Sequence, residues 1–431
     1  MKFRLRQVAP VGAIVATAAL AGCVNVPPPP PTTSTVPVAA STIRVSVASD
    51  GSQGNGGSGG TQSSDNPYRN AISGSGRYVA FTSTSTNFNP GDGTAADVFI
   101  HDTVTGSTMN ASNAQGADQA ALSSDGNYIA FRSQSPFDAS DTNRDDDVFV
   151  RNRTTGAIER ISVSTAGAQA NGTSSWPSLS ADGRYVAFAS AASNLVQGDT
   201  NGRADIFIRD RVDHTTVLAS TAMPPTNTSA SPAISANGRF VAYQSGGSTT
   251  AGIFVYDRED GTTDLASVSS TGVPGNGVIR WPSISDDGRY VAFESTSSVL
   301  GGDNDGTYYD VFVHDRSTGS TVQVPSGVGN YHSFNAAISG NGRYVAFSTS
   351  APLVAADTNF GTGYDVYVWD RTTGALERDS VSSAGAQANG DSVDGVLDTT
   401  GRHVAFRSAA TNLVAGDTNG QADVFLRDRG A

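Results

Sequence analysis

The chain has almost nothing from which to build cross-links, cationic surfaces or long helices. Its 431 residues include one cysteine, Cys23, and one lysine, Lys2. A lone cysteine excludes an intramolecular disulfide, so any folded domain is held by its core and its hydrogen bonds. The 27 basic residues are outnumbered by 40 acidic ones, and a formal net charge of −13 repels phosphate backbones and argues against a nucleic-acid partner. Glutamate is scarce too, found only at 159, 259, 294 and 377, so Asp carries the acid. Short carboxylates bond nearby backbone N–H groups and favour turns, whereas Glu favours helices. The one long apolar run, residues 11–20, is too short to span a bilayer comfortably. What abounds is Gly, 48 residues, alongside Ser, Thr and Asp, a composition of short strands and tight turns.

The first residues read as an address. Lys2, Arg4 and Arg6 precede the apolar run, which leads into Leu20-Ala21-Gly22-Cys23. This resembles the lipobox of bacterial lipoproteins, whose cysteine becomes the lipid-modified first residue of the mature protein. The alternative is an ordinary secretory signal with an incidental Cys. The resemblance implies a signal peptide over 1–22 and lipidation at Cys23. It also implies a cell-envelope location, periplasmic or on the cell surface, with membrane contact through the anchor alone. Removing 1–22 takes away three cations and no anions, which moves the net charge from −13 to −16. Residues 23–41 form a Pro/Thr-rich linker with five consecutive prolines, Pro27 to Pro31. In polyproline II, at about 3.1 Å per residue, it holds a domain up to roughly 55 Å from its anchor.

From Ile72 onward the chain repeats itself. The element Gly-Arg-Tyr-Val-Ala-Phe, with variants such as Gly126-Asn127-Tyr128 and Gly401-Arg402-His403, begins at Gly76, Gly126, Gly183, Gly238, Gly288, Gly342 and Gly401. Spacings of 50 to 59 residues suit a blade of four short strands. A leading strand at 176–179 meets a Gly turn, followed by an alternating strand at 184–188 and a third strand, Asp-Ile-Phe-Ile-Arg-Asp, at 205–210. A weaker fourth strand is expected at positions such as 158–163. The seventh unit has no fourth strand of its own, and residues 43–47, Ile-Arg-Val-Ser-Val, match that pattern. Pairing them beside the seventh unit removes the exposed edges. The expected fold is therefore all-β, a seven-bladed β-propeller of four-stranded blades over 42–431, closed by the N-terminal strand. These motifs resemble the TolB-type, WD-repeat-like β-propeller family, which implies this fold and an envelope setting. The Pro common in that family before Asp-Gly is missing here.

Acid accumulates in the loops between second and third strands. The candidate ligands are Asp141, Asn143, Asp145 and Asp147; Asp199, Asn201 and Asp205; Asp303, Asp305 and Asp310; Asp357, Asn359 and Asp365; and Asp417, Asn419 and Asp423. Alternating Asp/Asn with a later Asp presents several oxygens to a hard cation such as Ca²⁺. The competing reading is a set of Asx turns that need no metal. Catalytic patterns are thin. His101 and His314 share one repeat position and read as exposed strand ends, while His403 replaces the repeat's Tyr and reads as packed. Residues 56–60 match a nucleophile-elbow pattern without its strand-to-helix context. Trp176 and Trp281, each before Pro, are expected near the axis, as core or as a sugar-stacking platform. Glu294, Tyr331 with His332, Asp394 and Asp398 break the repeat's symmetry. The favoured function is a monomeric binding or scaffolding module with a protein or glycan partner at the envelope. The alternative is a hydrolase or lyase acting on polysaccharide or another envelope substrate.

Overall fold

The computed structural model describes residues 39–430 apart from 61–69, 89–94, 114, 247–250, 303–305, 328–329 and 360–362. Cys23 and residues 24–38 of the linker lie outside the described residues. Seven four-stranded antiparallel sheets follow one another, and no described residue is helical. Blade 3 shows the unit: Ser174–Leu179 innermost, then Tyr185–Ser190, Asp205–Asp210 and, outermost, Thr215–Leu218. The second strands of blades 1, 2 and 4 to 7 are Tyr78–Ser83, Tyr128–Ser133, Phe240–Gly246, Tyr290–Ser295, Tyr344–Thr349 and His403–Ser408.

Second and third strands depart from the expected alternation. In blade 3 every residue of both is buried, because each blade is sandwiched between two others and neither face meets water. The Gly-Arg-Tyr element is the glue between blades. Gly183 has φ +68°, and a Cβ on it would stand 2.4 Å from the Tyr128 ring of the preceding blade, so only Gly fits. The Arg forks onto the last Asp of its own third strand: Arg77 donates to Asp102 through Nε (2.8 Å) and Nη2 (2.7 Å). The same pair recurs in blades 3 to 7, and in blade 2 Asn127 and Asn152 stand in its place. In blades 1 and 3 to 6 the aromatic ring lies under two guanidinium groups, its own blade's and the next blade's. For Tyr290 these are Arg289 at 4.7 Å and Arg371 at 3.8 Å. His403 stands at the ring position in blade 7 and packs against Gly76 of blade 1, so the seam repeats the Gly-to-ring contact of the other joints.

Closure uses the chain's first described strand, Ser41–Arg44, slightly earlier than residues 43–47. It pairs antiparallel with Asp423–Asp428, from Ser41 opposite Asp428 to Arg44 opposite Phe425. Val45 continues the ladder, its N–H donating to Val424 C=O at 2.8 Å, and its side chain is wholly buried. Ser46 Oγ then donates to Asp423 Oδ1 at 2.6 Å, repeating Ser220 to Asp205 in blade 3.

A backbone ring closes the narrow end of the axis. Gly74 N–H donates to Ser124 C=O, Ser124 to Ala181, Ala181 to Ala236, Ala236 to Asp286 and Asp286 to Gly340, at 2.8–3.1 Å. Asn341 then donates to Thr399 (2.8 Å) and Thr399 back to Gly74 (3.3 Å). Deleting residues 41–48 should therefore cost far more than the ~2–5 kcal/mol of a single large-to-small core change such as Val45→Ala. Thermal melting checks this: the deletion is expected to lower the transition sharply, and an unchanged transition would refute closure by this strand.

Candidate functional site

The loops between second and third strands share a face with the links between blades. Ser174 N–H donates to Asp146 C=O of the preceding blade, and Asn171 of the link contacts Asn194 of a 2–3 loop. On this face the Asp/Asn loops do converge, but in three blades around an arginine of the outer strand. In blade 2, Arg160 Nη1 lies 3.5 Å from Asp141 and 3.9 Å from Asp147, and Gln169 Nε2 donates to Asp141 at 2.9 Å. In blade 6, Arg378 lies 3.6 and 3.9 Å from Asp357 and Asp365, which also accept from Gln387, while the Asn359 amide donates to both. In blade 7, Arg44 lies 3.4 and 3.6 Å from Asp417 and Asp423, with Gln53 on Asp417 and Asn419 on Asp423. A guanidinium thus stands between the two carboxylates in each of these three blades.

Elsewhere the candidates separate. Asn143 donates to Ala170 C=O and accepts the Asp145 N–H, an Asx turn. Asp303 and Asp305 lie outside the described residues, and Asp310 is buried at the start of its strand. Blade 3 keeps Asp199, Asn201 and Asp205 together but carries Leu218 where blade 2 has Arg160. There Asn201 Nδ2 donates to Asp205 Oδ2 at 2.6 Å, and Asp199 is raised above the usual carboxylate range by burial and by the charge of Asp205. Among the described residues no three His, Cys, Asp or Glu side chains converge as a metal site.

The axis holds a cavity of about 330 Å³. Its wall includes one Ile or Leu from each blade: Ile72, Leu122, Leu179, Ile234, Ile284, Ile338 and Leu397. Each innermost strand of blades 2 to 7 carries a β-bulge where two residues face one on the second strand. The bulge puts Gln119, Trp176, Ser231, Trp281, Asn335 and Asp394 at φ between 53° and 59°. None of these is Gly, and a left-handed backbone there costs on the order of 1–3 kcal/mol each. Nothing in the sequence flags this strain except that all six stand seven residues before the turn Gly. Trp176 and Trp281 come from blades 3 and 5, two apart, yet their rings meet at 5.2 Å and 54°, so they are both packed and cavity-lining.

Beside Trp281 the symmetry breaks hardest. Arg280 lies over the Tyr309 ring at 4.0 Å and donates from Nε to Glu294 Oε2 at 3.1 Å. Glu294 Oε1 accepts the N–H of Asn335 at 2.5 Å. His332 packs against Tyr308 and Tyr309 (5.0 and 5.5 Å) and accepts the Tyr309 N–H on Nδ1. Burial and the charge of Arg280 lower its pKa. Phe334 meets Tyr364 edge-on at 5.0 Å. These rings and Tyr331 are half-buried, and each presents surface to solvent.

The remaining candidates are structural. Asp398 binds His403 Nδ1 at 2.6 Å, and Asp394 sits in the bulge ring near Arg407. His101 and His314 are buried, contrary to expectation, because each ring bonds a neighbouring Thr hydroxyl, Thr108 or Thr321, that in turn donates to the preceding link.

The arginine clasp is testable through pH. Burial, reinforced by the charge of Asp141, pushes Asp147 up to about 6. Arg160→Leu should strand two buried carboxylates and cost ~3–5 kcal/mol at pH 8. Asp147 protonates more readily folded than unfolded, so its uptake stabilises the fold at lower pH and that support is lost as pH rises through 6. The variant's deficit should therefore shrink between pH 8 and pH 5. Melting curves at both values check it, and an equal deficit would contradict the assignment.

No protein-family model matches the sequence, and no curated protein matches it. Solved structures do. An oligogalacturonate lyase from Vibrio parahaemolyticus is 11% identical at a TM-score of 0.53, covering 91% of this chain and 97% of its own. The β-propeller domain of the Trilobed protease from Pyrococcus furiosus is 12% identical at 0.53, covering 84% and 94%. A putative TolB from Agrobacterium tumefaciens is 16% identical at 0.42, covering 65% and 87%. At these identities the likeness is one of fold, and the chain is a seven-bladed β-propeller.

Proposed function

We propose that this chain is an extracytoplasmic binding module, lipid-anchored through Cys23, that recognises an envelope partner with the loop face of its propeller. The observation that carries the reading is the half-buried aromatic cluster around Arg280, Tyr309 and His332. It stands on one sector of the loop face and departs there from the internal repeat. Rigid β scaffolds leave recognition to their loops, and residues that break an internal repeat are those the scaffold itself does not require. The head, apolar run and cysteine of the N-terminus support the anchor, and the proline run supports a stalk.

A second reading, a polysaccharide lyase or hydrolase, is favoured by the lyase neighbour, which spans nearly the whole chain. Against it, Glu294 is engaged by Arg280 and the Asn335 N–H, and Asp398 by His403, so neither is poised as a base. Fractionation with a binding and turnover assay separates the readings. Wild type should sediment with membranes and Cys23→Ser should not. Both should be retained by envelope fractions without releasing products, and Tyr309→Ala should lose retention. Product formation abolished by His332→Ala would favour the enzyme, and no retention by any fraction would end the binding reading.

Calcium remains a proposal for blade 3 alone, where the carboxylates of Asp199 and Asp205 have no arginine between them. Calorimetric titration should show one site, lost in Asp199→Asn. Absence of heat, with no rise in melting temperature, would remove it.

A further inference from the structure

The wall of the axial cavity carries hydrogen-bonding groups that the fold does not use. Asn70 of blade 1 is 3% exposed, and neither its Oδ1 nor its Nδ2 has a hydrogen-bond partner among the described residues. It stands six residues before the turn Gly, where the other innermost strands carry Ala120, Pro177, Pro232, Pro282, Ala336 and Gly395. Gln119 of blade 2 is 6% exposed; its Oε1 accepts the Trp176 N–H at 2.7 Å, while its Nε2 is unpaired. Ser231 of blade 4 is 8% exposed, and its Oγ is unpaired too. All three side chains line the cavity. By contrast, the wall hydroxyls of Ser178 and Ser283 are engaged, accepting the N–H of Ile234 and Ile338 of the next blade at 3.1 Å. Buried polar atoms are nearly always paired and are costly to leave unpaired, so three such side chains around one cavity point to a molecule that pairs with them.

The wall restricts what that molecule is. Among the described residues that form it there is no Asp, Glu, Arg, Lys or His. Asp394, the one acid among the described bulge residues, is not part of the wall, and its charge acts on Arg407. An ion entering would give up water without gaining a counter-charge, which favours a neutral occupant. A volume of about 330 Å³ is at the lower end of the range of small-molecule sites and suits one ring better than a chain. The backbone collar closes the narrow end, so entry is from the loop face, past the bulge residues. There the indole rings of Trp176 and Trp281 supply flat apolar surface, while the unpaired groups come from blades 1, 2 and 4. Polar atoms spread over three blades match hydroxyls set around a ring, whereas a flat heterocycle with one donor–acceptor edge would meet only one of them. A hydroxyl also both donates and accepts, which is what the two free atoms of the Asn70 amide require.

We infer that the axial cavity is a site for a single neutral polyol ring, a monosaccharide or cyclitol, held by Asn70, Gln119 and Ser231 with a C–H face against the Trp176–Trp281 pair. The site belongs to the axis and not to the loop aromatics, so it goes beyond the envelope-binding reading and stands or falls apart from it.

The test titrates the full chain with glucose, galactose, mannose and myo-inositol, with glucuronate and glucosamine as charged rings and uracil as a flat heterocycle, and follows tryptophan fluorescence and thermal melting. Saturable binding of at least one neutral polyol is expected, with a rise in melting temperature at saturation and none with the charged rings or uracil. Asn70→Leu removes both unpaired amide atoms and should weaken binding about tenfold or more. Without ligand it should melt at or above the wild-type temperature, because an apolar group replaces an unpaired polar one, whereas a structural role for Asn70 would lower the transition. Ser231→Ala, a smaller removal, should weaken binding severalfold. No binding of any neutral polyol would leave water as the partner of these groups and overturn the inference. So would equal binding of a charged ring or of uracil, unchanged affinity in either folded variant, or a lowered transition in Asn70→Leu.

Discussion

The whole molecule depends on one strand pairing across nearly the full length of the chain. Without Ser41–Arg44 beside Asp423–Asp428, blade 7 has a bare outer edge, and the seam between blades 7 and 1 lacks Val45, which packs with Val79, Phe81 and Val424. Such a contact is expensive to form, because it orders the intervening chain at once, but loop-closure entropy grows only slowly with length. Once made, it converts an open stack into a ring, and the backbone collar at the narrow end can close only in a ring.

Repetition explains most of what looks chemical in this protein. Arg, Asp, Tyr and Gly of the turn element are consumed in and between neighbouring blades, and in blades 1, 3, 6 and 7 the Asp that opens the third strand accepts from a serine two residues past the outer strand. Pro325 stands at the serine's place in blade 5, so Asp310 lacks that clasp. A residue repeated around the ring is thus first a structural residue. The departures include Tyr308 and Tyr309 in the blade 5 loop and two tryptophans among the bulge residues.

The charge economy follows the same logic. A chain with one lysine and many aspartates uses arginine as its internal counter-ion, and the planar fork suits bidentate carboxylate contacts that an ammonium could not reproduce. The depressed carboxyl groups of Asp102, Asp315 and Asp370, held down first by their arginines, and the raised ones of Asp147 and Asp365, pushed up by burial, belong to one scaffold. The first set faces the solvent-accessible turn end and the second lies inside the blades.

Fold class, blade count, the closing strand and the oxygen-rich loops are legible in the sequence, because each is written in residues that recur in register and turn chemistry is local. Three things are not. The arginines that fill the Asp/Asn loops sit on the weakest strand, and only the pairing of third and outer strands brings Arg160 to Asp147. The left-handed ring follows from bulges that curve each innermost strand around the axis, a global demand with no local residue preference behind it. The meeting of Trp176 and Trp281 across a blade, and of Tyr309 with His332 between blades, depends on the radius of the closed ring. Local sequence carries periodicity and turns, whereas distances across the axis exist only after seven sheets have shut.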